Sequence, residues 1–137
     1  MLPETGRFTF RKKERLCSKN TFSYLFKNGS SLRAGAISIY YALDVPSELV
    51  RNPVMVAFAA PKRHLKEAVK RNYIKRRMRE VFRLHKPELL RLLKERNTHL
   101  VLLITYNSRK LAPFSEIHYK LGHALGKLSH RIESQEN

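Results

Sequence analysis

The stretch from residue 62 to residue 83 constrains the fold most, because it has the pattern of a helix with two opposite faces. It contains no glycine or proline, and most of its residues are good helix formers. At about 100° per residue, one face is apolar and consists of Ile74, Met78, Val81 and Phe82. This spacing predicts a helix that packs its apolar face against a core and leaves the other face accessible.

The opposite face of this helix, called the ladder below, consists of Asn72, Arg76, Arg79 and Arg83, with Lys75 at its border. The whole stretch has ten lysines and arginines but only two acids, Glu67 and Glu80. Like charges at i,i+4 spacing destabilise a helix, so an anionic partner would explain the ladder. The alternative is an ordinary solvated surface. The preference for arginine favours a partner, because its planar fork binds phosphate and stacks on bases.

The high positive charge of the whole chain limits the class of partner to nucleic acid or an anionic membrane surface. The 137-residue chain carries a net charge of +17, and 42% of its residues are hydrophobic, which predicts a folded globule rather than a disordered basic tail. No apolar run approaches the roughly 20 residues of a membrane span, and residues 1–15 are too polar for a signal peptide. We therefore expect no membrane partner. The single cysteine, Cys17, excludes an internal disulfide and fits a cytoplasmic location.

Alternation of large and small side chains predicts two strands, over residues 35–43 and 54–60. They share one bulky face and one face of small residues that carries Tyr40. Small residues are expected where another backbone comes close, which is either a helix of this protein or a bound strand of nucleic acid. Residues 99–105 are almost continuously apolar, which predicts a third strand buried on both faces.

Two further helices are predicted before and after the basic helix. The first covers Lys19–Asn28, with Ser18 as N-cap and Gly29 as a left-handed C-terminal cap. Pro87 predicts a break after the basic helix, and residues 88–96 then form a short helix of their own.

The end of the chain completes an α+β pattern. Pro113 stands at the start of a last helix, whose apolar positions continue to Leu128, and residues 131–137 are predicted to be a polar tail. The order of elements predicts a single domain over residues 1–137, with a basic extended arm over residues 1–15. Its expected architecture is a two-layer sandwich of helices over a mainly antiparallel sheet.

The sequence shows no catalytic site and no metal site. A metal-dependent nuclease needs clustered carboxylates, but the eleven acids are scattered and Asp44 is the only aspartate. The six histidines have no zinc-binding spacing. We therefore predict a binding module without catalytic residues, whose partner carries any chemistry.

The segment AVKRNYIKRRMRE (residues 68–80), preceded by APKRH, resembles the signature of the bacterial ribonuclease P protein component. The positions that match are Arg71, Asn72, Lys75, Arg76 and Arg79. Tyr73 departs from the motif, since the family usually has arginine there. With further matches toward both ends, the resemblance covers residues 8–128.

This resemblance implies both a fold and a function. The fold would be that of the second domain of ribosomal protein S5, with about four strands and the basic helix on a left-handed crossover. The chain would be the protein subunit of ribonuclease P, which removes the 5′ leader of precursor tRNA. The catalytic RNA subunit would carry the chemistry with bound magnesium ions, and the protein would hold no cofactor. Its partners would be this RNA and precursor tRNA.

The resemblance also implies two binding regions. The residues expected to bind the catalytic RNA are Lys62, Arg63, His64, Lys66, Lys70, Arg71, Asn72, Lys75, Arg76, Arg79 and Arg83. TFSYLFKNG and SIYYAL resemble the family's first helix and first strand, which places Phe22, Phe26 and Tyr40 in a leader-binding cleft. Aromatic side chains in a cationic groove hold single strands without sequence preference. For Phe22 and Phe26 the alternative is ordinary core packing.

Two other functions are compatible with parts of this pattern. A ribosomal protein or general RNA chaperone would carry a similar charge, and copurification with ribosomes would distinguish it. A nuclease with its own active site is disfavoured by the missing carboxylate cluster.

One structural prediction concerns Arg71, which lies beside the apolar face of the basic helix. Its side chain is expected to reach past the helix edge to fixed partners.

Overall fold

The computed structural model describes residues 19–50 and 52–134, so the predicted arm and the Ser18 cap lie outside the described residues. The elements in chain order are α1 (Lys19–Asn28), β1 (Ser30–Ala34), β2 (Ile37–Leu43), β3 (Val54–Ala59), α2 (Ala68–Arg96), β4 (Leu100–Tyr106) and α3 (Phe114–Ser134). Within these ranges, no helix combines the length and the apolar character needed to cross a membrane.

The four strands form one mixed sheet in the order β1-β2-β4-β3. β2 pairs antiparallel with β1 and β4, whereas β3 pairs parallel with β4. A parallel pair needs a crossover connection, and α2 supplies it between β3 and β4. The predicted α+β class with four strands is confirmed. The alternation of side chains does not indicate strand β1, because Leu32 is its only buried residue. The hand of the crossover stays a prediction.

The two faces of the sheet bury different clusters. Ile39, Val56 and Leu102 are fully buried on the bulky face, under α2 and α3. On the small-residue face, Val101 packs in a second cluster with Leu25 of α1. The predicted alternation and the two-sided burial of β4 are therefore confirmed. α2 and α3 form the helical layer, and α1 covers part of the other face.

The predicted helix break at Pro87 is wrong, because a single helix runs through it over Ala68–Arg96. The buried stripe continues after the proline with Leu89, Leu92 and Leu93, each at most 2% exposed. Burying such a side chain contributes about 1.5–3 kcal/mol, so three of them outweigh the roughly 3 kcal/mol cost of an internal proline. Pro87 itself is exposed, so the missing hydrogen bond falls on the solvent side of the helix.

Gly29 ends α1 for a different reason than predicted. Among the described glycines, a positive φ occurs at Gly35 (60°), not at Gly29. A Cβ on Gly29 would lie 2.5 Å from the carbonyl oxygen of Leu25 and 2.6 Å from that of Tyr41. Glycine is therefore needed at residue 29 because the backbone of β2 comes close. Gly35, which was predicted to lie in a strand, instead forms the turn between β1 and β2.

Helix α3 extends four residues into the predicted polar tail. It ends at Ser134, since Ile132 is fully buried and continues the apolar row of Leu125 and Leu128. Arg131 also ties this last turn to the sheet, because its guanidinium donates to the hydroxyl oxygen of Tyr41 at 2.8 Å.

The packing of α2 against α3 predicts a loss of stability in mild acid. Burial, and secondly the nearby charge of His118, lower the pKa of His85 from its ordinary value. Below about pH 6.5 the unfolded chain therefore binds a proton that folded His85 resists, and stability falls as the pH drops through this range. Between pH 7.5 and 5.5, the melting temperature should fall less in His85→Gln than in the wild type. His130→Gln, at an exposed position, is the control, and an equal fall in all three proteins would contradict this prediction.

Candidate nucleic-acid interface

Arg71 joins the basic loop to the start of α2. Its Nη1 donates to the carbonyl oxygens of Leu65 at 3.0 Å and Lys66 at 2.8 Å. Leu65 is only 3% exposed, so the loop is also anchored in the core. The basic side chains before α2 are thus presented on a fixed backbone, and the expectation that Arg71 reaches past the helix edge is confirmed.

Because of these contacts, Arg71→Lys should destabilise the protein although it conserves the charge. Both bonds come from the single nitrogen Nη1, at the end of a rigid planar group that a lysine side chain lacks. We therefore expect a loss of about 1–2 kcal/mol in the free energy of unfolding. Chemical denaturation measures this loss. Lys94→Arg, at an exposed position on the same helix, should unfold like the wild type. Equal unfolding of Arg71→Lys and the wild type would show that the two hydrogen bonds do not contribute.

The structure places the other predicted RNA-binding residues on the loop and on α2. The exposed ones are Lys62, Arg63, Lys66, Lys70, Asn72 and Arg76, and the partly buried ones are His64, Arg71, Lys75, Arg79 and Arg83. Within the loop, Nε of Arg63 donates to Nε2 of His64 at 3.3 Å.

Three ladder residues share one surface depression, which is lined by Val69, Asn72, Arg76 and Arg79. Val69 is 78% exposed at its edge. The guanidinium carbon of Arg79 lies 5.9 Å from the ring centroid of Phe58 on β3, so this side chain leans toward the sheet. A depression with arginines and one apolar side chain can contact both the phosphates and the flat faces of a nucleic acid.

Both acids of the basic stretch pair with a basic residue three positions later. Arg83 binds Glu80 at 2.6 Å, and this hydrogen bond lowers the pKa of the Glu80 carboxyl. Lys70 binds Glu67 at 3.3 Å. The charge of Arg83, the last ladder residue, is thus neutralised by Glu80 of the same helix. The number of charges in the sequence does not reveal this pairing.

The predicted cleft residues form a continuous row of rings between α1 and β2. The ring centroids of Phe22 and Phe26 lie 6.2 Å apart in a stacked arrangement. Phe26 meets Tyr40 edge-on at 6.3 Å and is 63% exposed. Leu25 is the α1 residue that enters the core, at 2% exposure, and Oγ1 of Thr21 donates to the carbonyl oxygen of Leu49 to hold the helix in place.

The small-residue face is covered by α1 only in part. Ala42 is buried with Leu25, so a helix of this protein accounts for that part of the face. Leu103 and Ala57 lie beside Tyr40 in register across the sheet and remain half-buried. A partly open strip of sheet therefore runs from the aromatic row toward β3, the strand that leads to the basic loop.

Sequence reasoning missed Arg77, whose guanidinium lies over the ring of Tyr73 at 4.7 Å. The signal was the i,i+4 spacing of an aromatic residue and an arginine. Tyr73 is also the residue that departs from the family motif. Its ring packs against the main core, so it has a structural role at this position.

The fold and this surface define the class of protein, an α+β protein with a basic helix and an aromatic row suited to nucleic acid. The chain belongs to the ribonuclease P family, because the family model described as Ribonuclease P matches residues 10–129. This range agrees with the predicted extent of the resemblance.

Two bacterial relatives match almost the whole chain. The ribonuclease P protein component of Chlorobium phaeobacteroides is 32% identical over 135 residues, which cover 93% of this chain and 90% of the relative. That of Porphyromonas gingivalis strain W83 is 26% identical over 127 residues, with coverage of 93% and 91%.

Solved structures show the same fold. The RNase P protein of Staphylococcus aureus is similar with a TM-score of 0.67 at 22% identity, covering 84% of this chain and 94% of that one. The RNase P protein of Thermotoga maritima is similar with a TM-score of 0.62 at 20% identity, covering 85% and 96%.

Proposed function

We propose that the basic loop and the ladder bind the catalytic RNA of ribonuclease P, and that the aromatic row holds the 5′ leader of precursor tRNA. As a member of the family, the chain is the protein component of an endoribonuclease that acts in tRNA processing. Its action is removal of the leader to give the mature 5′ end, in the cytoplasm where tRNA precursors are made.

The row of Phe22, Phe26 and Tyr40 is the observation that carries this proposal. The three rings are in contact, yet Phe26 is 63% exposed, so the core does not require it. One exposed and two half-buried rings next to a partly open sheet strip suit unpaired bases, since every base has a flat face that can stack. A duplex would offer only its terminal base pairs to such a row, which favours a single-stranded leader.

The protein and the RNA have separate tasks in this proposal. Phosphate contacts along the ladder provide affinity without sequence information, and stacking orients the leader for cleavage by the RNA. We assign the magnesium ions to the RNA, as the resemblance implies. Among residues 19–50 and 52–134, no three histidine, cysteine, aspartate or glutamate side chains come together as a metal site.

Reconstitution of cleavage tests the proposed function. The protein is mixed with the cognate ribonuclease P RNA and precursor tRNA at a magnesium concentration too low for the RNA alone. We expect the mature 5′ end to appear only when the protein is present. Cleavage that is independent of the protein, together with copurification of the protein with ribosomes, would instead favour a ribosomal protein or RNA chaperone.

A further inference from the structure

Arg77 lies on the flank of α2 that faces α3, away from the ladder. At 3.6 residues per turn, its side chain leaves the helix about 100° from Arg76 and about 160° from Arg79. Its guanidinium carbon lies 4.7 Å from the ring centroid of Tyr73 and 5.7 Å from that of Phe114, at the start of α3. Two helices therefore hold this one cation in place.

This cation has no hydrogen-bonding or anionic partner among the described residues. Its Nε is buried without an acceptor, although an arginine in a protein stays protonated. Two other arginines of α2 have such partners, since Arg71 binds two carbonyl oxygens and Arg91 binds Glu88 and Glu95. Arg77 as a whole is only partly buried. Because Nε is buried, the solvent-accessible surface of this residue belongs to its other atoms.

We propose that Arg77, oriented by Tyr73 and Phe114, is a second phosphate-binding site, which takes a phosphodiester group of RNA on the α3 side of α2. The two rings fix the guanidinium group, and a phosphate in its plane can accept two parallel hydrogen bonds. His118, an exposed residue, meets the ring of Phe114 edge-on at 5.6 Å, so an imidazole lies next to one of the two rings that hold Arg77.

The inference deepens the proposed function and rests on it for the identity of the polyanion. An RNA that reaches both the ladder and Arg77 has to contact α2 from two sides. Binding would therefore orient the helix about its own axis, which contacts along a single face do not achieve. The competing explanation is that Arg77 only joins α2 to α3 through its two rings.

Salt-dependent binding to the cognate ribonuclease P RNA separates these explanations. Arg77→Gln should lower the magnitude of the log–log salt slope by about 0.7–0.9, the value for one phosphate, and reduce affinity about four- to fivefold at 0.15 M salt. Arg91→Gln removes the same charge from an arginine paired within the helix and should leave the slope unchanged. Arg77→Lys should keep the slope but bind more weakly than the wild type, because it lacks the fork.

Thermal melts of the same variants complete the test. A lower melting temperature of Arg77→Gln with an unchanged salt slope would overturn the proposal and leave Arg77 as a contact between helices. If Arg77→Gln does not fold, an Arg77→Lys protein with wild-type affinity would overturn it as well. Failure of the proposed function would look different, since the wild type itself would then bind this RNA without a steep salt dependence.

Discussion

Replacing Tyr40 by alanine is expected to weaken the binding of precursor tRNA to the holoenzyme by roughly fivefold to 140-fold. The estimate corresponds to about 1–3 kcal/mol for one base stacked on an aromatic ring, at 1.4 kcal/mol per factor of ten. Tyr40 stands at the inner end of the aromatic row, in edge-on contact with Phe26 and beside the half-buried Leu103. A leader base that lies on this strip would lose its platform in the variant.

The comparison with mature tRNA makes this prediction specific. Mature tRNA has no 5′ leader, so its affinity should be the same for Tyr40→Ala and the wild type. Tyr41→Ala is the matched control on the next residue of β2, because Tyr41 points to the other face, is 8% exposed and accepts a hydrogen bond from Arg131. It should lower the melting temperature more than Tyr40→Ala does, because Tyr40 is only half-buried at the edge of the second cluster. Equal losses for both tRNAs would show that Tyr40 does not contact the leader.

The faces of the sheet could be predicted because alternation along a strand is a local property. The assignment of Tyr40 and Tyr41 to opposite faces follows from one residue of spacing, and the structure confirms it. The same holds for the apolar stripe of Ile74 and Met78 on α2, where both residues are fully buried. Strand alternation and the helical apolar stripe each relate residues only a few positions apart. Each also recurs several times within one element, so both can be recognised in the sequence alone.

The errors have a different origin, since they depend on residues distant in sequence. Whether Pro87 ends a helix depends on the leucines buried after it, and the need for glycine at residue 29 depends on how closely β2 approaches, not on a positive φ. Arg77 contacts two rings, Tyr73 on its own helix and Phe114 on α3, and only Tyr73 is near it in sequence. Local spacing indicates only the contact between Arg77 and Tyr73, so the ends of elements and the contact of Arg77 with Phe114 required the structure.

The double variant Arg76→Ala/Arg79→Ala should lose roughly 15- to 30-fold in affinity for the catalytic RNA at 0.15 M salt. If each arginine neutralises one phosphate, the log–log salt slope should fall in magnitude by about 1.4–1.8. Both residues line the same surface depression and lie on the side of α2 opposite the buried Ile74 and Met78. The fold should therefore be retained, apart from the contact of Arg79 with Phe58.

The control for net charge is Arg91→Ala/Lys94→Ala, which removes two charges from exposed positions nearer the end of the same helix. General attraction between a protein of net charge +17 and RNA would weaken equally in both double variants. Phosphate contacts at the ladder would instead lower the slope only for Arg76→Ala/Arg79→Ala. Because Arg83 is already paired with Glu80, Arg83→Ala should have a smaller effect than either ladder arginine alone. An equal effect of all three single changes would mean that RNA responds to the charge of the helix and not to the geometry of the ladder.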